Sequence, residues 1–216
     1  MKSILSLIIV LLVLLTSCGE QVVNPEKINS LPPVFPDYTG VTIPASIAPL
    51  NFVLTTNYEQ IDVTITGKGG VIHLQESRVA AISPKEWSAL LDKSKGDSLQ
   101  VIVAAKENGK WKQYLPFSVY VSSEPIDYGL VYRLIAPGYE VWSKMGIYQT
   151  DLHTAEQSTI LDNKLMAPNC MNCHTFPKNN PKKMSLHIRG ANEATALVQD
   201  KNIEMLSTKT EQMIGN

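Results

Sequence analysis

From Val41 to about Ala136 the residues alternate between apolar and polar with a period of two. Ile61, Val63 and Ile65 are interleaved with Asp62, Thr64 and Thr66, and Leu99, Val101 and Val103 share one face of a later run. That period places every second side chain on the same side of an extended strand, so this stretch builds sheets and not a helical bundle. The turn signals agree. Asn108-Gly109 lies between two such runs, the pair a tight hairpin favours, and Gly69-Gly70 leads into Val71–Leu74. One helix is expected within the β pattern. Ser83-Pro84-Lys85-Glu86 places serine at the N-cap, proline at the first helical position and glutamate at N3, the arrangement of a capping box. Trp87, Leu90 and Leu91 then share a helical face, and Gly96 is the stop. Short strands at this spacing predict a mainly β fold, an antiparallel immunoglobulin-like β-sandwich over residues 40–136. Trp111, Tyr114, Phe117 and Tyr120 are expected to pack it and its rim, and His73 reads as an ordinary strand histidine.

The whole chain has 216 residues, 44% apolar and 18% charged, enough to bury a core. Nineteen basic against twenty acidic side chains lack the basic excess of a nucleic-acid binder. No G-x-x-x-x-G-K-[ST], H-E-x-x-H or G-x-S-x-G occurs, and no general base, nucleophile pair or carboxylate dyad stands out, so an enzyme is not expected.

The address is at the N-terminus. Met1-Lys2-Ser3 precedes Ile4–Leu15, in which only Ser6 is polar. This run is shorter than the roughly 17–25 apolar residues of a transmembrane helix and fits a signal-peptide core. Leu15-Thr16-Ser17-Cys18 follows, the pattern of a bacterial lipobox, in which Cys18 is diacylated and becomes the mature N-terminus. The expected organisation is a signal peptide over 1–17, a proline-dotted tether over 18–39, the sandwich over 40–136, and a C-terminal part over 137–216. The expected location is the bacterial cell envelope, lipid-anchored to a membrane (the outer one by expectation), facing the periplasm or the surface.

In the C-terminal part, Leu130–Ile135 reads as a strand, Ala136-Pro137-Gly138 as a turn, and Gly146–Leu152 and Ser158–Leu161 as a hairpin around His153–Glu156, like one hairpin of a β-propeller blade. Then comes Cys170-Met171-Asn172-Cys173-His174. C-x-x-C-H is the attachment motif of c-type haem: two thiols on a turn form thioethers with the two vinyl groups, and the adjacent histidine is held against the iron. On this reading Cys170 and Cys173 bind one haem c covalently, in a small segment of helix and loop, and His174 is the proximal ligand. His187 is the distal candidate, with Met184, Met205 and Met213 as alternatives. His187 alternates with Leu186 and Ile188, so its side chain is expected opposite theirs. A disulfide between the two cysteines, or a metal site drawing on His153 or His187, competes with haem. Lys178, Lys182, Lys183, Arg189, Lys201 and Lys209 against Glu193, Asp200 and Glu204 make this segment locally positive. A solvated surface explains that balance, and so does docking to an acidic redox partner. Only 42 residues follow His174, so a complete cytochrome c domain of the common small type does not fit.

Pro116-Phe117, Ile126-Asp127, Tyr132–Ile135, Pro137–Glu140, Met145–Gln149, Asn169–His174 and Arg189-Gly190 resemble the N-terminal portion of lipoproteins with TolB-like (WD40-type) β-propellers, some of which carry C-x-x-C-H. The resemblance covers roughly residues 30–216 and implies a Gram-negative envelope lipoprotein. It implies a β-domain, a haem-type motif and then propeller blades, and the chain is expected to stop before those blades. Two functions follow. The first is a lipid-anchored c-type haem protein that transfers electrons to a partner protein. The second is a non-redox envelope scaffold whose C-x-x-C is a metal or disulfide element.

Overall fold

The computed structural model describes residues 20–135, 145–165, 169–190 and 193–206. The signal peptide and Cys18, the turn at Ala136-Pro137-Gly138, Lys209 and Met213 lie outside the described residues. The described chain is mainly β, in several sheets without a closed barrel. It divides into two compact units, one ending at Ile126 and one beginning at Asp127. The boundary falls ten residues before the expected one, because the strand after Asp127 pairs onward into the second unit.

The first unit contains β1 (Glu26–Lys27), β2 (Val34–Phe35), β3 (Thr42–Pro44), β4 (Val53–Leu54), β5 (Gln60–Gly67), β6 (Gly70–Glu76), α1 (Pro84–Lys93), β7 (Ser98–Glu107), β8 (Lys110–Gln113) and β9 (Phe117–Ser122). Seven of these strands form one sheet around β7. One edge of β7 pairs with β5 along its length, and the other is shared, with β9 on Ser98–Val101 and β8 on Ala104–Glu107. The sheet is not purely antiparallel: β1 runs parallel to β8, and β3 parallel to β9. The tether expected over 18–39 is therefore corrected. From Glu26 its residues belong to the first unit, β1 on the sheet and β2 in a two-stranded ladder with β4.

The alternation is the core. Ile61, Val63 and Ile65 of β5, Leu99, Val101 and Val103 of β7, and Phe117, Val119 and Val121 of β9 are buried in one cluster. Trp87, Leu90 and Leu91 of α1 join them, as do Val34 and Leu54 of the ladder. Burying each large apolar side chain contributes about 1.5–3 kcal/mol. Trp111, Tyr114 and Phe117 are buried and Tyr120 is exposed at the rim. The expected Asn108-Gly109 turn joins β7 to β8, with φ 50° and 74° at its two residues, the left-handed values a two-residue hairpin needs.

Helix α1 starts at Pro84 as expected, but Ser83 makes no side-chain cap hydrogen bond, so the capping box is not formed. Tertiary contacts hold the helix instead. The β5–β6 turn lies so close that a Cβ on Gly69 would sit 2.8 Å from the Leu90 Cα and from its carbonyl oxygen. Both atoms are backbone and cannot rotate away. Gly69→Ala is expected to destabilise the first unit by about 1–3 kcal/mol through this overpacking, read as a lower denaturation midpoint. An unchanged midpoint would mean that the turn does not pack on α1.

The second unit contains β10 (Gly129–Leu134), β11 (Gly146–Asp151), β12 (Gln157–Asp162), β13 (Asn169–Thr175), β14 (Lys183–Gly190), β15 (Ala194–Gln199) and β16 (Asn202–Leu206). The expected hairpin is β11–β12, and β10 extends it to a three-stranded antiparallel sheet. The remaining strands form a four-stranded antiparallel meander in the order β13-β14-β15-β16. That is the strand count and order of a propeller blade. The expectation of helix and loop around C-x-x-C-H is thus corrected: the motif is β13. Met184, Leu186 and Ile188 of β14 are buried on one face, and Met171 of β13 joins them with Ile147 of β11. This buried stripe recruits the motif into the sheet.

Candidate functional site

Among the described residues β13 is an edge strand, paired with β14 alone. Cys170 stands opposite Arg189, Met171 opposite Ile188, and His174 opposite Leu186. Three steps along β13 match two along β14, so Asn172 and Cys173 together face His187 in a β-bulge. Paired residues project to the same side of a sheet. Met171 and His174 therefore share the inner face with Ile188 and Leu186, while Cys170 shares the outer one with Arg189. Met171 is fully buried, Cys170, His174 and His187 are half-buried, and Cys173 is exposed. The His174 ring meets Phe176 edge-on at 6.3 Å between centroids.

Two long-range contacts fix the start of β13. Asn163, fully buried just after β12, donates its backbone N–H to the Met145 carbonyl at 3.0 Å. Its side-chain oxygen accepts the Met171 N–H at 3.1 Å. Arg133 of β10 donates from Nη2 to Cys170 Sγ at 3.2 Å and to Met145 Sδ at 3.7 Å. On the neighbouring strand, His187 Nδ1 lies 3.0 Å from Thr195 Oγ1. None of Arg133, Asn163 or Thr195 has a sequence signal of its own, since each acts through a partner on another strand.

The motif's chemistry suits haem c, with two thiols and an adjacent imidazole. In the register of β13, His174 lies on the face of Leu186, opposite that of Cys170. Of the distal candidates, His187 faces Thr195, Met184 is core, and Met205 is exposed on the outermost strand. No group of three or more His, Cys, Asp or Glu side chains among the described residues could hold a metal ion. His153 pairs with Asp151 at 4.0 Å, and His73 Nε2 lies 2.8 Å from Asp62 Oδ2.

The second unit also holds an open cleft of about 720 Å³. Val131, Ile160, Phe176 and Met184 give it an apolar lining, and Lys182 and Asp200 are charged members of the wall. The motif's cysteines and His174 are not among its lining residues. No helix among the described residues is long and apolar enough to cross a membrane. The fold and site define a mainly β, two-unit protein with a thiol pair on an edge strand. No family model and no curated protein matches its sequence.

Proposed function

We propose that this protein is a lipid-tethered, extracytoplasmic binding scaffold in which the C-x-x-C of β13 is a thiol element and not a haem mount. The observation that carries this reading is the register of β13 on β14, which puts His174 on the face opposite that of Cys170. Two further features support it. The β13–β16 meander has the strand order of a blade and fits the resemblance to TolB-like lipoproteins. The cleft has the size and mixed lining of small-molecule sites, which run about 300–1,000 Å³. The tether rests on Leu15-Thr16-Ser17-Cys18.

One mass measurement tests both parts. The full chain is produced in a bacterial host that attaches haem to c-type cytochromes, and the mature protein is purified from membranes. The expected mass is that of the chain from Cys18 with acyl groups and no haem, and peptide mapping finds Cys170 and Cys173 without thioethers. Covalent haem on both cysteines would overturn the proposal in favour of the electron-transfer reading. An unacylated Cys18 would remove the tether.

A further inference from the structure

The cleft of the second unit runs past an unpaired strand edge. β10 pairs with β11 on one side, and no described strand pairs with its other side. Successive side chains of a strand point to opposite faces. Val131 packs against the core of this unit and the adjacent Leu130 is exposed, yet both line the cleft. An opening that meets both faces of one strand passes along the edge between them. There a strand offers backbone N–H and C=O groups to a further chain. Ile160, Phe176 and Met184 extend the apolar wall. Charges stand at the rim. Asp127, Lys182 and Asp200 line the cleft and are exposed, and none of their side chains has an ion pair or hydrogen bond among the described residues. Lys182 and Asp200 are held beside each other, because the Asp200 N–H donates to the Lys182 carbonyl at 2.8 Å.

We infer that the cleft binds a short peptide with apolar side chains and free termini, laid as an added strand on β10. This deepens the binding reading above and rests on it. Each part of such a ligand has its counterpart. The backbone pairs with the free edge of β10, the mode by which extended peptides join sheets. The side chains enter the apolar lining. The terminal carboxylate meets Lys182 and the terminal ammonium meets the carboxylates of Asp127 and Asp200, so both signs of charge are answered. A fatty acid would leave the two aspartates unanswered, and an alkylammonium would leave Lys182 so. Three extended residues span about 10 Å, a length suited to a cleft of about 720 Å³.

The test titrates trileucine into the mature chain with Cys18→Ser, which carries no acyl groups, so no detergent competes for the peptide. Calorimetry is expected to find one site with a Kd of about 1 mM or tighter. Triglycine, with the same backbone and termini, should show no measurable binding. Trileucine amide is expected to bind about fivefold more weakly. Lys182→Gln should weaken trileucine equally and leave the amide unaffected. Acetyl-trileucine and the double variant Asp127→Asn, Asp200→Asn should show the same relation at the other terminus. Of the two amide N–H groups of the peptide one faces β10, so methylating each in turn should find one position that lowers affinity about fivefold. The substituted side chains are exposed, so the variants are expected to keep the denaturation midpoint of the parent. No binding up to millimolar peptide, binding that ignores either terminus, or tolerance of both methyl groups would overturn the inference. Haem on the cysteines would overturn the proposed function instead, and the mass measurement separates the two failures.

Discussion

Met171→Ala is expected to destabilise the second unit by about 2–5 kcal/mol, the usual cost of truncating a fully buried large side chain. Met171 is one of five buried residues at the centre of that unit's core, with Ile147, Met184, Leu186 and Ile188, so a small cluster loses much of its packing. The backbone around it has little freedom to collapse, because its N–H is clamped by the buried Asn163. The measurement is a denaturant titration of the full chain, in which the transition of the second unit moves to lower concentration. Cys173→Ala, exposed on the bulge, should stay within about 0.5 kcal/mol of the parent. The contrast between these neighbours is diagnostic. In a haem-attachment loop the residues between the cysteines are spacers, whereas here Met171 is core. Equal stabilities for the two variants would show that β13 does not pack as described.

In the first unit the largest single effect is expected at Trp87. The indole is buried against the sheet and its Nε1 donates to the Ile47 carbonyl at 3.0 Å. Trp87→Ala removes the ring and leaves that acceptor without this donor, at a cost of about 3–5 kcal/mol. Against a typical domain stability of about 5–15 kcal/mol, this is enough to leave α1 poorly docked. Trp87→Phe keeps an aromatic ring in the core and loses the hydrogen bond, for which about 1 kcal/mol is expected. Near-ultraviolet circular dichroism and the denaturation midpoint report both. If the two variants match, the ring does not carry the contact between α1 and the sheet.

What was legible in the sequence was local. The alternation in β5 and β7 names its own core face because strand side chains repeat every second residue, and Asn108-Gly109 names its turn because few residues accept positive φ. Trp87, Leu90 and Leu91 marked the buried side of α1 through their helical spacing. The parallel partners were not legible. β1 meets β8 across 86 residues of sequence, and nothing in Glu26-Lys27 points to Lys112-Gln113. The second sheet of the second unit was missed for a related reason. The motif is legible as a chemical signature, but nothing in the sequence marks Met171, inside it, as core.

The motif shows where that division falls. The sequence by itself determined the thiol spacing, the adjacent imidazole, and the alternation that sets His187 opposite Leu186 and Ile188. In a regular strand, odd spacing would put Cys170 and Cys173 on opposite faces and would return His174 to the side of Cys170. Only the tertiary structure decided otherwise. Met171 is drawn into a core with Ile147, His174 pairs with Leu186, and the extra residue between them is taken up as a bulge opposite His187. A one-residue bulge inverts the parity of everything beyond it. It therefore sends His174 to the face of Leu186, opposite that of Cys170, an outcome set by packing partners outside the motif.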